Sequence, residues 1–279
     1  MTSRLLVGVG QLNSTPDIEQ NFVEIERITA RAAARGCDLI MFPECAPQMR
    51  PDRTRVNAAE TLQGAQVRAC QALCKKHEMG MLLGSFAQKS DSPERFYNTS
   101  VFMDRQGAIL AHYQKIHLFE AWAGDKRTHH EAAHVVPGPA KPTVVAFEGW
   151  KFGLSVCYDL RFPEMYRLLV DAGAEVLCVP SAFTYETGAA HWETLLRARA
   201  IENTVYAIAP AQTQENYSGR RTWGHSMAVS PWGEIIGQMG HETGLFVVEL
   251  DKARLHDAAQ RNPSVANRRF DAIGPVDPT

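Results

Sequence analysis

The chain has 279 residues and a formal net charge of -2, from 29 Lys+Arg against 31 Asp+Glu. That length suits one large α/β domain, taken as 1–279, with a substantial core. The near-neutral charge provides no overall field for nucleic acid or an anionic membrane, so neither is an expected partner. No apolar run approaches the ~18 residues of a membrane span, and the first apolar run is too short for a secretory signal; the expected compartment is the cytoplasm.

In chain order, Leu5 to Leu12 reads as a strand. Thr15-Pro16-Asp17 then starts a helix whose Ile18, Phe22, Ile25 and Ile28 step along one face and which Gly36 closes. A buried strand over 38–44 ends on Pro43-Glu44. A helix over 65–77 and a strand over 80–87 follow, then two strands across 97–115 joined by a turn at Asp104 to Gly107. The second half repeats this alternation, with a strand over 151–157, a helix over 163–173, a strand over 175–183 and a helix over 189–203. Strands over 205–211, 226–230, 233–238 and 244–250 complete the order. Alternation in both halves without a Pro/Gly/Ser linker predicts one continuous α/β unit, and the hairpin-like pairs predict mixed sheets.

The 6 cysteines, at 37, 45, 70, 74, 157 and 178, show no CxxC pair and read as reduced thiols. Cys157 stands out because Tyr158, Asp159 and Arg161 follow where a strand should still be burying itself, and Pro163 then opens a helix. A sharp strand-to-helix turn pushes a side chain into a cleft with backbone N–H groups beside it, as an activated nucleophile requires. The bland reading is a buried structural thiol. A thiol nucleophile needs a proton acceptor and a nearby cation. Glu44 and Lys115, each closing an apolar strand, are candidates; their bland readings are a surface glutamate and a lysine laid along apolar neighbours.

Three stretches occur in this order: Phe42-Pro43-Glu44, Tyr113-Gln114-Lys115-Ile116-His117-Leu118-Phe119, and Gly153 to Glu164. Together they resemble the signature of the nitrilase superfamily of carbon–nitrogen hydrolases. The likeness extends to the stretches at 7–15, 180–203, 223–234 and 262–271, and so covers nearly the whole chain. It implies an αββα sandwich, a four-layer α/β architecture with two mixed sheets, paired across a homodimer interface into αββα-αββα. The tail from about 252 to 279 would lie at that interface.

The resemblance also implies a Glu-Lys-Cys centre of Glu44, Lys115 and Cys157, with a second glutamate at Glu131. Here the chain departs from the family pattern, with His129-His130 before that glutamate and Ala132 after it. The implied chemistry is hydrolysis of a small amide through a thioester, releasing ammonia or an amine. Glu44 acts as base and acid, Lys115 and the Tyr158 N–H hold the oxyanion, and no metal or organic cofactor takes part. Tyr158-Asp159 after the cysteine, in place of Trp-Glu, favours amides over nitriles. The surrounding residues resemble two amidase branches, one acting on deaminated glutathione and the other, the omega-amidases, on 2-oxoglutaramate and succinamate. Pro163 fits the first better.

Both substrate groups carry a carboxylate. Arg161 is either its bidentate partner or a structural salt bridge to Asp159 or Glu164. Phe183 is either an apolar wall or a core aromatic, and His191 with Trp192 either faces the pocket or buttresses it. His225 reads as structural. A rival class comes from His130-Glu131-Ala132-Ala133-His134, which spells HExxH, a zinc-protease pattern. It needs a helix and a third ligand, whereas Pro137-Gly138-Pro139 interrupts the run.

Overall fold

The computed structural model describes residues 3–123 and 126–270, and within 122–128 the backbone alone. The first half comprises β1 (Arg4–Gln11), α1 (Ile18–Ala33), β2 (Leu39–Met41), α2 (Asp52–Arg55), α3 (Ala65–His77), β3 (Gly80–Lys89), β4 (Phe96–Met103) and β5 (Ile109–Gln114). A hairpin of β6 (Glu120–Ala123) and β7 (Lys126–His130) leads into the second half. That half comprises β8 (Val144–Phe147), β9 (Trp150–Leu154), α4 (Pro163–Asp171), β10 (Val176–Cys178), α5 (Tyr185–Asn203) and β11 (Tyr206–Ala209). After it come the hairpin β12 (Thr213–Tyr217) and β13 (Arg220–Trp223), then β14 (Met227–Val229), β15 (Ile235–Gln238), β16 (Gly244–Asp251) and α6 (Lys252–Arg261).

Two six-stranded sheets result, in the orders β16-β1-β2-β3-β4-β5 and β15-β14-β11-β10-β9-β8. Each has three central parallel strands, β1-β2-β3 in one and β9-β10-β11 in the other, flanked by antiparallel neighbours. Alternation along the strands assigns the layers. Val7, Val9, Leu39, Met41 and Phe102 point inward against Phe152, Leu154, Val176 and Ile208 of the second sheet. Ile40, Phe42 and Leu83 point outward onto Ile25, Ile28, Val67 and Cys70 of α1 and α3. On the far side Leu169 of α4 with Trp192 and Leu196 of α5 covers the second sheet. This is the αββα sandwich that the resemblance implied.

Local chemistry sets the helix ends. The Asp17 side chain accepts from Gln20 N at the start of α1, and Pro163 occupies the first turn of α4, where its missing N–H costs nothing.

Some boundaries and elements differ from the sequence expectation. The strand expected over 151–157 stops at Leu154, and Cys157 instead opens a 3-10 turn, Cys157–Arg161. Helix α5 begins at Tyr185 rather than 189, with Gly188 in its first turn. A glycine there weakens the helical pattern, but a Cβ at that position would lie 2.2 Å from Trp223 Cβ, so close packing requires it. The polar strands of the two hairpins and the charged helix α6 lack an apolar face, which hid them from a reading based on periodicity. Of the tail expected at a dimer interface, positions 271–279 lie outside the described residues; Arg268 pairs with Asp171 of its own chain.

Candidate active site

Open α/β sheets collect their sites at the carboxyl ends of parallel strands, and here both sheets contribute. Glu44 follows β2. Its backbone turns where Gly84 of β3 comes close, and a Cβ on Gly84 would lie 2.1 Å from Phe42 O. The register shift between Leu83 and Phe86 marks the same spot, and Ser85 Oγ accepts from Cys45 N at 2.9 Å. From the second half of the chain, Gln212 Nε2 donates to Glu44 O at 2.9 Å.

Lys115 directly follows β5 and is held by its N–H on Asn98 O. Glu131 lies in a single 3-10 turn after β7, where its Oε2 accepts the Phe119 N–H at 2.7 Å. Cys157 sits three residues past β9 with φ 51°, a left-handed conformation, and its N–H donates to Pro180 O. A non-glycine residue in that region costs on the order of 1–3 kcal/mol and persists only where the surroundings enforce it. Buried Asp159 does the enforcing. Its Oδ2 accepts from Val156 N and Tyr113 Oη, both at 2.8 Å, while Oδ1 accepts from His117 N and lies 2.7 Å from His117 Nδ1. The cysteine turn is thereby tied to the segment that carries Lys115.

These backbones bring four side chains together below the surface. Lys115, 2% exposed, donates to Glu44 Oε1 at 3.1 Å and to Glu131 Oε1 and Oε2 at 3.0 and 2.8 Å. Asn98 Nδ2 adds a bond to Glu44 Oε1 at 2.8 Å and a longer one to Glu131 Oε1. The Cys157 thiol lies near enough to Glu44 and to the Ala182 N–H for both to act on its ionisation.

One ammonium serves two carboxylates, and their protonation divides accordingly. Burial pushes Glu44 up, but Lys115, with Cys157 and Arg55, outweighs it and holds the carboxyl below its usual range. Burial, joined by the Glu44 charge, keeps Glu131 above its usual range in spite of Lys115. Burial opposes the Lys115 charge, yet Glu131 and Glu44 overcome it and hold the ammonium firmly protonated. Burial and the Glu44 charge push the Cys157 thiol up, with Lys115 pulling the other way. At neutral pH the group therefore rests as thiol beside carboxylate, with a fixed cation adjacent.

The remaining sequence candidates fall in three places. The Tyr158 N–H has no hydrogen-bond acceptor among the described residues. Arg161 lines the same cleft, with its guanidinium 5.8 Å from the Tyr158 ring centre and 5.3 Å from that of Phe183. The salt bridge to Asp159 or Glu164 is absent, because Asp159 is already occupied and Arg161 has no carboxylate partner among the described residues. Phe183 is both things considered for it, a nearly buried aromatic against Trp192 and part of the cleft wall. His191 lies outside the wall and reaches the site only through Arg161 Nη1, 3.3 Å from its Nδ1. Trp192 is buried and His225 stacks on Trp223.

The HExxH run is not on an α-helix. His130 ends a strand and lies 2.7 Å from Glu120, and both Glu131 oxygens face Lys115. Among the described residues no group of three or more His, Cys, Asp or Glu could hold a metal ion.

Sequence reasoning missed Asn98, Ala182 and the fastening role of Asp159. Asn98 carried a signal, since asparagine is depleted in strands; the Ala182 contribution is a backbone N–H and carried none.

Comparison with known proteins decides the family. The family model described as carbon-nitrogen hydrolase matches residues 6–260. The chain belongs to the carbon-nitrogen hydrolase family. A deaminated glutathione amidase of Synechocystis sp. is 38% identical over 93% of this chain and 96% of its own length. The crystal structure of the Caenorhabditis elegans NitFhit protein superposes with a TM-score of 0.91 at 34% identity, covering 96% of this chain and 66% of that longer one. A mutant amidase from Nesterenkonia sp. AN1, showing covalent addition of the acetamide moiety of fluoroacetamide at its active-site cysteine, superposes with a TM-score of 0.80. It is 28% identical, over 95% of this chain and 94% of its own. As a carbon-nitrogen hydrolase, the protein is an enzyme that cleaves carbon–nitrogen bonds other than peptide bonds, and these relatives support amidohydrolase activity. No helix among the described residues is long and apolar enough to cross a membrane.

Proposed function

We propose that this carbon-nitrogen hydrolase cleaves a small carboxylated amide of the deaminated glutathione type, with Cys157 as nucleophile and a thioester as intermediate. The observation that carries the reading is the buried cluster in which Lys115 bridges Glu44 and Glu131 beside the Cys157 thiol, on which Glu44 acts. Covalent addition at the active-site cysteine of the related amidase supports the same role for Cys157.

An amide carbonyl is a poor electrophile, and a protonated thiol is a poor nucleophile. As Cys157 Sγ attacks the carbonyl carbon, its proton passes to Glu44 and the carbonyl electron pair moves onto oxygen. The Lys115 ammonium and the unoccupied Tyr158 N–H stabilise that oxyanion in a site shielded from water. Collapse re-forms the carbonyl and breaks the C–N bond, and the departing nitrogen takes the proton from Glu44. Water then gives a proton to Glu44 and attacks the thioester; the C–S bond breaks and the sulfur recovers the proton. Glu131 keeps Lys115 charged and in place.

Arg161 supplies specificity. With no carboxylate partner among the described residues, it is available as a fork for the carboxylate of the acyl half, and Phe183 lies against it as an apolar wall. Deaminated glutathione has a 2-oxo acid at that end, and its hydrolysis yields 2-oxoglutarate and cysteinylglycine. The test is 2-oxoglutarate formation from deaminated glutathione and from 2-oxoglutaramate, for wild type and Cys157→Ala. Preference for the first, lost in the mutant, is the expected result. Preference for 2-oxoglutaramate moves the assignment to an omega-amidase, and turnover of neither overturns the substrate reading.

A further inference from the structure

The cleft around the Cys157 thiol is lined by Arg50, Arg55, Arg161, Arg220 and Lys115, against three carboxylates, Glu44, Asp52 and Glu131. With the histidines neutral, five cations face three anions, an excess of two positive charges in a chain whose formal net charge is -2. The three carboxylates are already engaged, Glu44 and Glu131 by Lys115 and Asp52 by Arg55. The uncompensated cations are therefore arginines.

They fall into two groups on different walls. Arg161 belongs to the cysteine turn and touches Tyr158, Phe183 and His191. Arg220 opens β13, and it acts with Asp52 and Arg55 on the ionisation of Tyr217, which places those groups together.

Arg220 is held as a binding group is held. Its Nη2 donates to Ala182 O at 2.9 Å, and its Nη1 lies 3.0 Å from His129 Nε2. Burial and the Arg220 charge outweigh Asp52 and disfavour the imidazolium, so His129 serves as a neutral acceptor, and Arg220 has no ion-pair partner among the described residues. A guanidinium has five N–H donors; these two contacts orient the fork, and the other donors have no acceptor among the described residues. Close by, Arg55 Nη2 is buried without a hydrogen-bond acceptor among the described residues. Asp52 answers the charge of Arg55 through Nη1, but the buried Nη2 donors are costly to leave unmade unless a ligand accepts from them.

We propose that Arg220, assisted by Arg55, binds a second substrate carboxylate, carried on the amine half, so that the scissile amide is stretched between Arg161 and Arg220. This rests on the amidase reading above and deepens it: the substrate is a dianion with one carboxylate on each side of the bond that breaks. An amide whose leaving group is ammonia lacks the second anchor.

The test separates the subsite from catalysis. Cys157→Ala protein is titrated calorimetrically with deaminated glutathione and with its glycine carboxamide, which differs only in the terminal charge. A charge-assisted hydrogen bond is worth roughly 1.5–3 kcal/mol, so the carboxylate should bind about 10- to 100-fold more tightly. Adding Arg220→Met should abolish that preference while leaving carboxamide affinity unchanged, and Arg220→Lys should restore part of it. Equal binding of the two ligands, binding of neither, or a loss in Arg220→Met that is the same for both overturns the proposal. Wild-type turnover of deaminated glutathione is read separately. Turnover without a carboxylate preference removes the subsite and leaves the amidase standing, whereas a carboxylate preference without turnover does the reverse.

Discussion

Two cysteines line one cleft from the two sheets, and they show what separates a reactive thiol from a packed one. Cys45 follows β2 and Cys157 follows β9; both are buried, and both adopt a left-handed backbone, with φ 58° and 51°. Burial pushes Cys45 up to about 12 and Cys157 up as well. Position, strain and burial are thus shared. The difference lies in what touches the sulfur. Both feel Glu44 and Lys115, and Cys45 feels Arg55 as well, but Glu44 and the Ala182 N–H act on the Cys157 sulfur at hydrogen-bonding range, while Cys45 packs in a small group with Met49, Ala182 and Tyr217. What separates the two is the proton acceptor and N–H donor at the sulfur, to which the strained turn brings Cys157.

The largest effect that could break this comparison is at Cys157 itself. Cys157→Ala should lower kcat by about 10⁴ or more, as loss of a nucleophile does elsewhere, measured as 2-oxoglutarate released. Glu44→Gln comes next, with a loss of about 10²–10⁴ from removing general base and acid. It carries a sharper signature in the pH dependence. Because the Glu44 charge raises the Cys157 thiol, its removal should lower that pKa, so iodoacetamide labels Cys157 faster at fixed pH even as turnover collapses. Slower labelling in Glu44→Gln would contradict the electrostatics described here.

Lys115→Met should cost about 10²–10³ in kcat through the oxyanion, and it should also lower the melting temperature, since Glu44 and Glu131 lose their shared cation. Arg161→Met should raise KM for a carboxylated amide about 10- to 100-fold, the size of one charge-assisted contact, with kcat much less affected. The smallest effect belongs to the other cysteine. Cys45→Ala should cost on the order of 1 kcal/mol of stability, a usual figure for one substitution, and leave turnover unchanged.

The comparison also explains which parts of the molecule were legible in the sequence. Strand and helix periodicity follows burial, so both sheets and the four helices that cover them were visible. Glu44, Lys115 and Cys157 were visible because polar residues close apolar runs at strand ends. Glu131 depended on resemblance, since its own surroundings spell a different motif. Hydrogen bonds between residues far apart in the chain leave no local trace. Asn98 reaches Glu44 across 54 positions, and Asp159 reaches Tyr113 across 46. Arg220 was hidden for another reason: it lies on a polar hairpin that no apolar alternation announces. The end of β9 was placed too late because Ser155 and Val156 are as buried as the strand before them.

The central claim is that Cys157 alone carries the acyl group. Intact-protein mass spectrometry of enzyme quenched in acid during turnover of deaminated glutathione, followed by peptide mapping, tests it directly. The account predicts a single acyl adduct on the peptide containing Cys157, absent from Cys157→Ala and retained in Cys45→Ala. An adduct on the Cys45 peptide, or sustained turnover by Cys157→Ala, would contradict it.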